Sequence, residues 1–62
     1  MPIVTIEMFA GRTLDQKKHL VEAVTQAISQ SLGVTPGDVT IILREMEKHN
    51  HAKGGVLTSE RQ

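Results

Sequence analysis

Pro2 stands directly behind Met1 and directly ahead of the strand-like run Ile3-Val4-Thr5-Ile6-Glu7-Met8-Phe9. Inside a chain, a proline nitrogen is a tertiary amide with neither proton nor basicity. Removal of Met1 would turn it into a secondary amine, and amino-terminal nitrogens titrate at about 7.7–8.0, where a group can act as base or nucleophile near neutral pH. A proline at this position also simply begins many chains. The chemical reading gains weight from the strand, which would hold the nitrogen in place, and from the basic turn Gly11-Arg12, which would hold an anion. A guanidinium pairs bidentately with a carboxylate, and Arg12 directly precedes the start of a helix, where backbone N–H groups favour negative charge. Without Pro2, Arg12 would read as an ordinary solvated turn residue.

Other residues with chemical potential carry less. His49 and His51 lie two apart and can point the same way on an extended segment, but a catalytic zinc site takes three protein ligands. His19 belongs to the helix and no acidic residue converges with the pair, so no metal site is expected. Lys53-Gly54-Gly55 reads as a structural turn rather than a phosphate loop. The chain has no cysteine, which excludes disulfides and thiolate metal sites.

The elements that must position Pro2 and Arg12 follow from pattern. The β-branched residues of the first run favour a strand from Pro2 to Phe9. Thr13-Leu14-Asp15-Gln16 fits a capping box, with Asp15 in the first turn where the helix dipole favours an anion. Leu14, Leu20, Val21, Val24, Ala27, Ile28 and Leu32 recur at three- and four-residue intervals, leaving Lys18, Glu22, Gln26 and Ser29 largely on the other face, and Gly33 supplies the stop. Pro36-Gly37-Asp38 makes a turn, and Val39-Thr40-Ile41-Ile42-Leu43 begins a second strand that ends near Glu45 or Met46. The helical stretch spans about 28 Å and the first strand about 26 Å, so one helix returns the chain to its start and the strands run parallel. Gly54-Gly55 and Val56-Leu57-Thr58 read as a turn and a short strand, pairing within the subunit or with a neighbour's edge.

Size and composition bound the assembly. A chain of 62 residues buries only about 60% of its unfolded surface, and Phe9 is the sole aromatic of the Phe, Trp and Tyr class. Both strands carry apolar residues on two faces, whereas one helix covers one. A second copy of the chain is therefore expected on the other face, as a homo-oligomer. Seven basic and seven acidic residues balance, which argues against a nucleic-acid partner. No apolar stretch suits a membrane span or signal peptide, so a cytoplasmic location and no membrane partner are expected.

Taken together, Pro2 with its strand, Gly11-Arg12-Thr13, Gln16-Lys17, the helix pattern through Ile28 and Leu32, Glu45-Met46, Asn50 and Gly54-Gly55 resemble the 4-oxalocrotonate tautomerases, short-chain members of the tautomerase superfamily. The resemblance implies an α+β fold of the tautomerase (MIF-like) architecture spanning residues 1–62 as one domain. Its β-α-β subunits would pair into four-stranded sheets and assemble as a hexamer, a trimer of dimers. It also implies a cofactor-independent keto-enol isomerase of small unsaturated 2-hydroxy or 2-oxo acids, with Pro2 as general base. Arg12 would bind the substrate carboxylate, typically across a subunit boundary. Burial and a nearby guanidinium would both favour the neutral, reactive amine.

Two positions depart from the family's pattern. Its second substrate-handling arginine falls on Thr40, and the aromatic that often walls the pocket falls on His51, so both are candidate substrate contacts of altered chemistry. Arg44 shares a strand face with Thr40 but stands about 13 Å along the strand, too far to replace that arginine in one pocket. The same residues would also serve hydration or dehalogenation of unsaturated acids, and a non-catalytic, self-assembling ligand-binding protein is the reading from a different class.

Overall fold

Alternation of exposure along the first strand sets the architecture. The computed structural model describes residues 1–61, and β1 (Ile3–Phe9) turns Val4, Ile6 and Met8 to one side, where they are half-buried, and Ile3, Thr5, Glu7 and Phe9 to the other. A helix, α1 (Leu14–Leu32), lies over the first side. After a 3-10 turn at Pro36–Asp38, β2 (Thr40–Met46) pairs with β1 in parallel, Ile3 opposite Thr40 through Phe9 opposite Met46. Ile41 and Leu43 join the helix side, and Lys17 of α1 reaches Glu45 of β2 at 2.7 Å. The β-α-β unit with parallel strands thus follows the pattern expected from the sequence.

The capping box is present in full: Gln16 N–H donates to Thr13 Oγ1 at 3.1 Å and Thr13 N–H donates to Gln16 Oε1 at 2.9 Å. Gly33 ends the helix, its N–H donating to the Ser29 carbonyl. The face that α1 buries differs from the simple apolar count. Lys17, Leu20, Val21, Val24, Thr25, Ile28 and Ser29 are half-buried, whereas Ala27 is exposed and Leu14 and Leu32 remain 68% and 60% exposed. A helix of 19 residues is about 28 Å long, against about 23 Å for a strand of 7 residues, so both ends overhang the sheet. Ser29 turns inward because its hydroxyl donates to the Val34 carbonyl beyond the helix end. Val39, expected within the second strand, instead closes the preceding turn through its N–H to the Pro36 carbonyl at 3.1 Å, and the strand starts one residue later.

Beyond β2, a 3-10 turn (Lys48–Asn50) leads into a hairpin of β3 (Ala52–Lys53) and β4 (Val56–Leu57), paired antiparallel within the subunit. Its two-residue loop places Gly54 at φ 58° and Gly55 at φ 83°, and two successive left-handed residues demand glycine where a tight hairpin follows the strand twist. So short a ladder is not stable alone. It is tied down by Thr58 N–H to the His51 carbonyl at 2.8 Å and by Arg61 Nη2 to the Lys53 carbonyl at 2.8 Å.

No described residue of the isolated subunit is fully buried. Its accessible surface is 4866 Å², against about 4,000 Å² expected of a free-standing chain of 6.8 kDa. Its radius of gyration is 14.9 Å where about 10.6 Å is usual for this length. The helix covers the sheet on one side, and on the other, among the described residues, His51 packs on Phe9 at one end while the rest stays open.

Candidate active site

Pro2 sits at the leading edge of β1, half-buried, and its carbonyl accepts the N–H of Thr40 at 3.0 Å. This bond extends the parallel ladder by one step past the Ile3–Thr40 pair. The pyrrolidine ring is thereby fixed between a locked φ and a hydrogen-bonded carbonyl. The structure brings Pro2 and Thr40 together because the register that aligns the two apolar patterns also aligns the strand starts.

Arg12 lies at the opposite end of the sheet. The chain leaves β1 through Ala10, whose N–H donates to the Met46 carbonyl at 2.8 Å, and turns at Gly11 with φ 119°, a conformation other residues rarely adopt. Arg12 follows, exposed, immediately before the Thr13 cap. It lines one concavity with Met8, Gln16, Lys17 and Leu20 and a second with Phe9, Gly11 and Lys48. Lys17 is committed to Glu45, whereas neither Arg12 nor Lys48 has an acidic partner among the described residues. Two free cations beside a helix N-terminus make this end attractive to a carboxylate.

His51 belongs to the Arg12 end. It is half-buried, packs edge-to-face on Phe9 with ring centroids 5.2 Å apart, and its Nδ1 lies 2.6 Å from Thr58 Oγ1. Glu7, Met8, Phe9, Met46 and His51 line a shared recess. The sequence pattern singled out neither Phe9 nor Thr58 as neighbours of this histidine. Nothing in local spacing joins residues 9, 51 and 58; the hairpin does so. His49 is exposed in the preceding turn, and among the described residues no three His, Cys, Asp or Glu side chains cluster in metal-binding fashion.

The four candidate residues thus form two groups, Pro2 with Thr40 and Arg12 with His51, separated by the length of β1, about 23 Å. A substrate with a few carbons cannot touch both groups of one subunit. If both act on one molecule, they come from different copies.

The sequence profile of the family described as Tautomerase enzyme matches residues 2–61. The chain belongs to the tautomerase family, whose members are isomerases. The chain is 38% identical over 60 residues to a 2-hydroxymuconate tautomerase of Bacillus subtilis (strain 168), covering 97% of each chain. A solved homologue of 4-oxalocrotonate tautomerase superposes with a TM-score of 0.92 at 36% identity, covering 98% of this chain and 100% of the other. A heterohexamer 4-oxalocrotonate tautomerase from Chloroflexus aurantiacus J-10-fl superposes with a TM-score of 0.90 at 27% identity, covering 100% of both chains. These relations bear out the short-chain 4-oxalocrotonate tautomerase family and fold implied by the sequence, and at least one such tautomerase is an oligomer. No helix of the described residues is long and apolar enough to cross a membrane.

Proposed function

We propose that this tautomerase is a cytoplasmic, single-domain (residues 1–62), cofactor-independent isomerase of small unsaturated 2-hydroxy or 2-oxo acids resembling 2-hydroxymuconate, working as a homohexamer of three dimers. The observation that carries the reading is the division of the site residues between opposite ends of one subunit, with Pro2 held by Thr40 at one end. Assembly then brings the Pro2–Thr40 group of one copy against the Arg12–His51 group of another.

With Met1 removed, neutral Pro2 takes the proton from the substrate's 2-hydroxyl and returns a proton to a carbon of the conjugated chain, so the amine ends as it began and no redox equivalent is consumed. Arg12 binds a carboxylate bidentately and its charge stabilises the dienolate that develops between the two transfers. Thr40 offers one neutral hydrogen bond, and His51 a polar ring edge at the pocket wall.

Intact mass of the native protein must lack Met1, since its retention would leave Pro2 an amide and block this chemistry. In the processed protein, Pro2→Ala should lose most ketonisation of 2-hydroxymuconate with the oligomer intact, because the primary amine of alanine differs in class and direction. Arg12→Ala should cost roughly 1.5–3 kcal/mol in kcat/KM, the worth of a charged hydrogen-bonding partner. Unchanged turnover in Pro2→Ala would remove Pro2 from the reaction, and unchanged constants in Arg12→Ala would place that residue in solvent.

A further inference from the structure

The sheet face that α1 leaves open is self-complementary in charge. Ile3, Thr5, Glu7 and Phe9 of β1 share it with Thr40, Ile42, Arg44 and Met46 of β2. Its apolar residues are exposed: Ile3 is 64% exposed, Ile42 41% and Phe9 38%. Toward its middle stand Glu7 and Arg44, directly opposite one another in the register. Adjacent as they are, they form no ion pair with each other or with any other described residue, whereas Lys17 and Glu45 on the helix side close to 2.7 Å. Glu7 has no partner in His51 either, whose Nδ1 meets Thr58. The subunit exposes roughly 900 Å² beyond the norm for its mass, about what each partner commits to a standard interface.

Resting on the oligomeric reading above, in which another copy covers the open face, we infer that Glu7 of each copy pairs with Arg44 of another. Covering the face takes both charges out of water. A buried charge left without a partner is strongly destabilising, and a copy of the same face presents to each of these two charges its opposite. The exposed isoleucines and Phe9 supply the apolar area, while the charge pair fixes which orientation of the two sheets is allowed. Any orientation that sets Glu7 against Glu7 or Arg44 against Arg44 is rejected by like-charge repulsion.

Charge reversal tests this directly. Glu7→Arg and Arg44→Glu, each alone, should weaken self-association roughly a hundredfold or more, read by sedimentation, because like charges meet across the interface. The double variant, Glu7→Arg with Arg44→Glu, should assemble to the wild-type size. Wild-type and double-variant chains refolded together should sort into separate oligomers, since every mixed contact sets acid against acid or base against base. The double reversal leaves the mass unchanged, so one chain carries ¹⁵N and native mass spectrometry reads the mixture. Single variants that assemble as tightly as wild type would overturn the inference, as would statistical mixing of wild-type and double-variant chains. Either result would leave the tautomerase reading standing wherever the wild-type oligomer still turns over 2-hydroxymuconate.

Discussion

Thr40 joins the two strands at Pro2 through its backbone while its side chain departs from the family's pattern. The N–H to the Pro2 carbonyl bond is available to any residue but proline, so the identity of residue 40 is free to set specificity. An arginine there would grip the 2-oxygen or a carboxylate of the substrate through a charge-assisted contact; threonine would provide a weaker, neutral one. We predict that Thr40→Arg raises kcat/KM for the diacid 2-hydroxymuconate more than for a monoacid analogue, whose single carboxylate Arg12 would already meet. Both substrates are measured at one pH with wild type and variant, and an equal or smaller gain for the diacid would reject this account. Pro2 and Arg12 stand out in the sequence as candidates because the chemistry proposed for them is local: a nitrogen behind Met1, and a cation between a turn glycine and a helix cap. The setting of His51 was not, because its partners Phe9 and Thr58 lie 42 residues before it and seven after it, and only the folded hairpin joins them.

At the scale of elements, local signals and tertiary packing wrote different parts of the chain. The Thr13–Gln16 box, the Gly33 stop and the Gly54-Gly55 hairpin were legible because each is a backbone requirement met within a few residues. The helix face was read less accurately: Leu14 and Leu32 continue the apolar periodicity but overhang strands shorter than the helix, a fact of length that periodicity does not carry. Val39 also showed strand character that the Pro36 turn overrode with a competing hydrogen bond. The capping box has a measurable worth. Thr13→Ala removes the acceptor for Gln16 N–H and should cost about 1 kcal/mol of stability, seen as a lowered thermal midpoint at fixed protein concentration, since association also moves that midpoint. Thr13→Ser should retain most of the wild-type value; equal midpoints for Thr13→Ala and wild type would show that the helix start draws its stability from packing alone.

The whole molecule is where the sequence reading and the structure meet on a single physical point. Strands apolar on both faces implied that one helix could not complete the core, and the subunit indeed has no fully buried residue among those described, excess surface and an extended shape measuring 43 × 24 × 14 Å. The same elongation puts Pro2 and Arg12 at opposite ends, so assembly would complete both the core and the active site. Complementation between inactive chains tests that claim most directly. Pro2→Ala and Arg12→Ala proteins, each with little activity, are unfolded, combined in equal amounts and refolded, and native mass spectrometry verifies that mixed oligomers have formed. Sites that take Pro2 from one chain and Arg12 from another should regain both residues in on the order of a quarter of cases, the statistical share for two independent positions in a symmetric assembly. The account predicts recovery toward that fraction of wild-type turnover. Verified mixed oligomers with no more activity than their parents would contradict it.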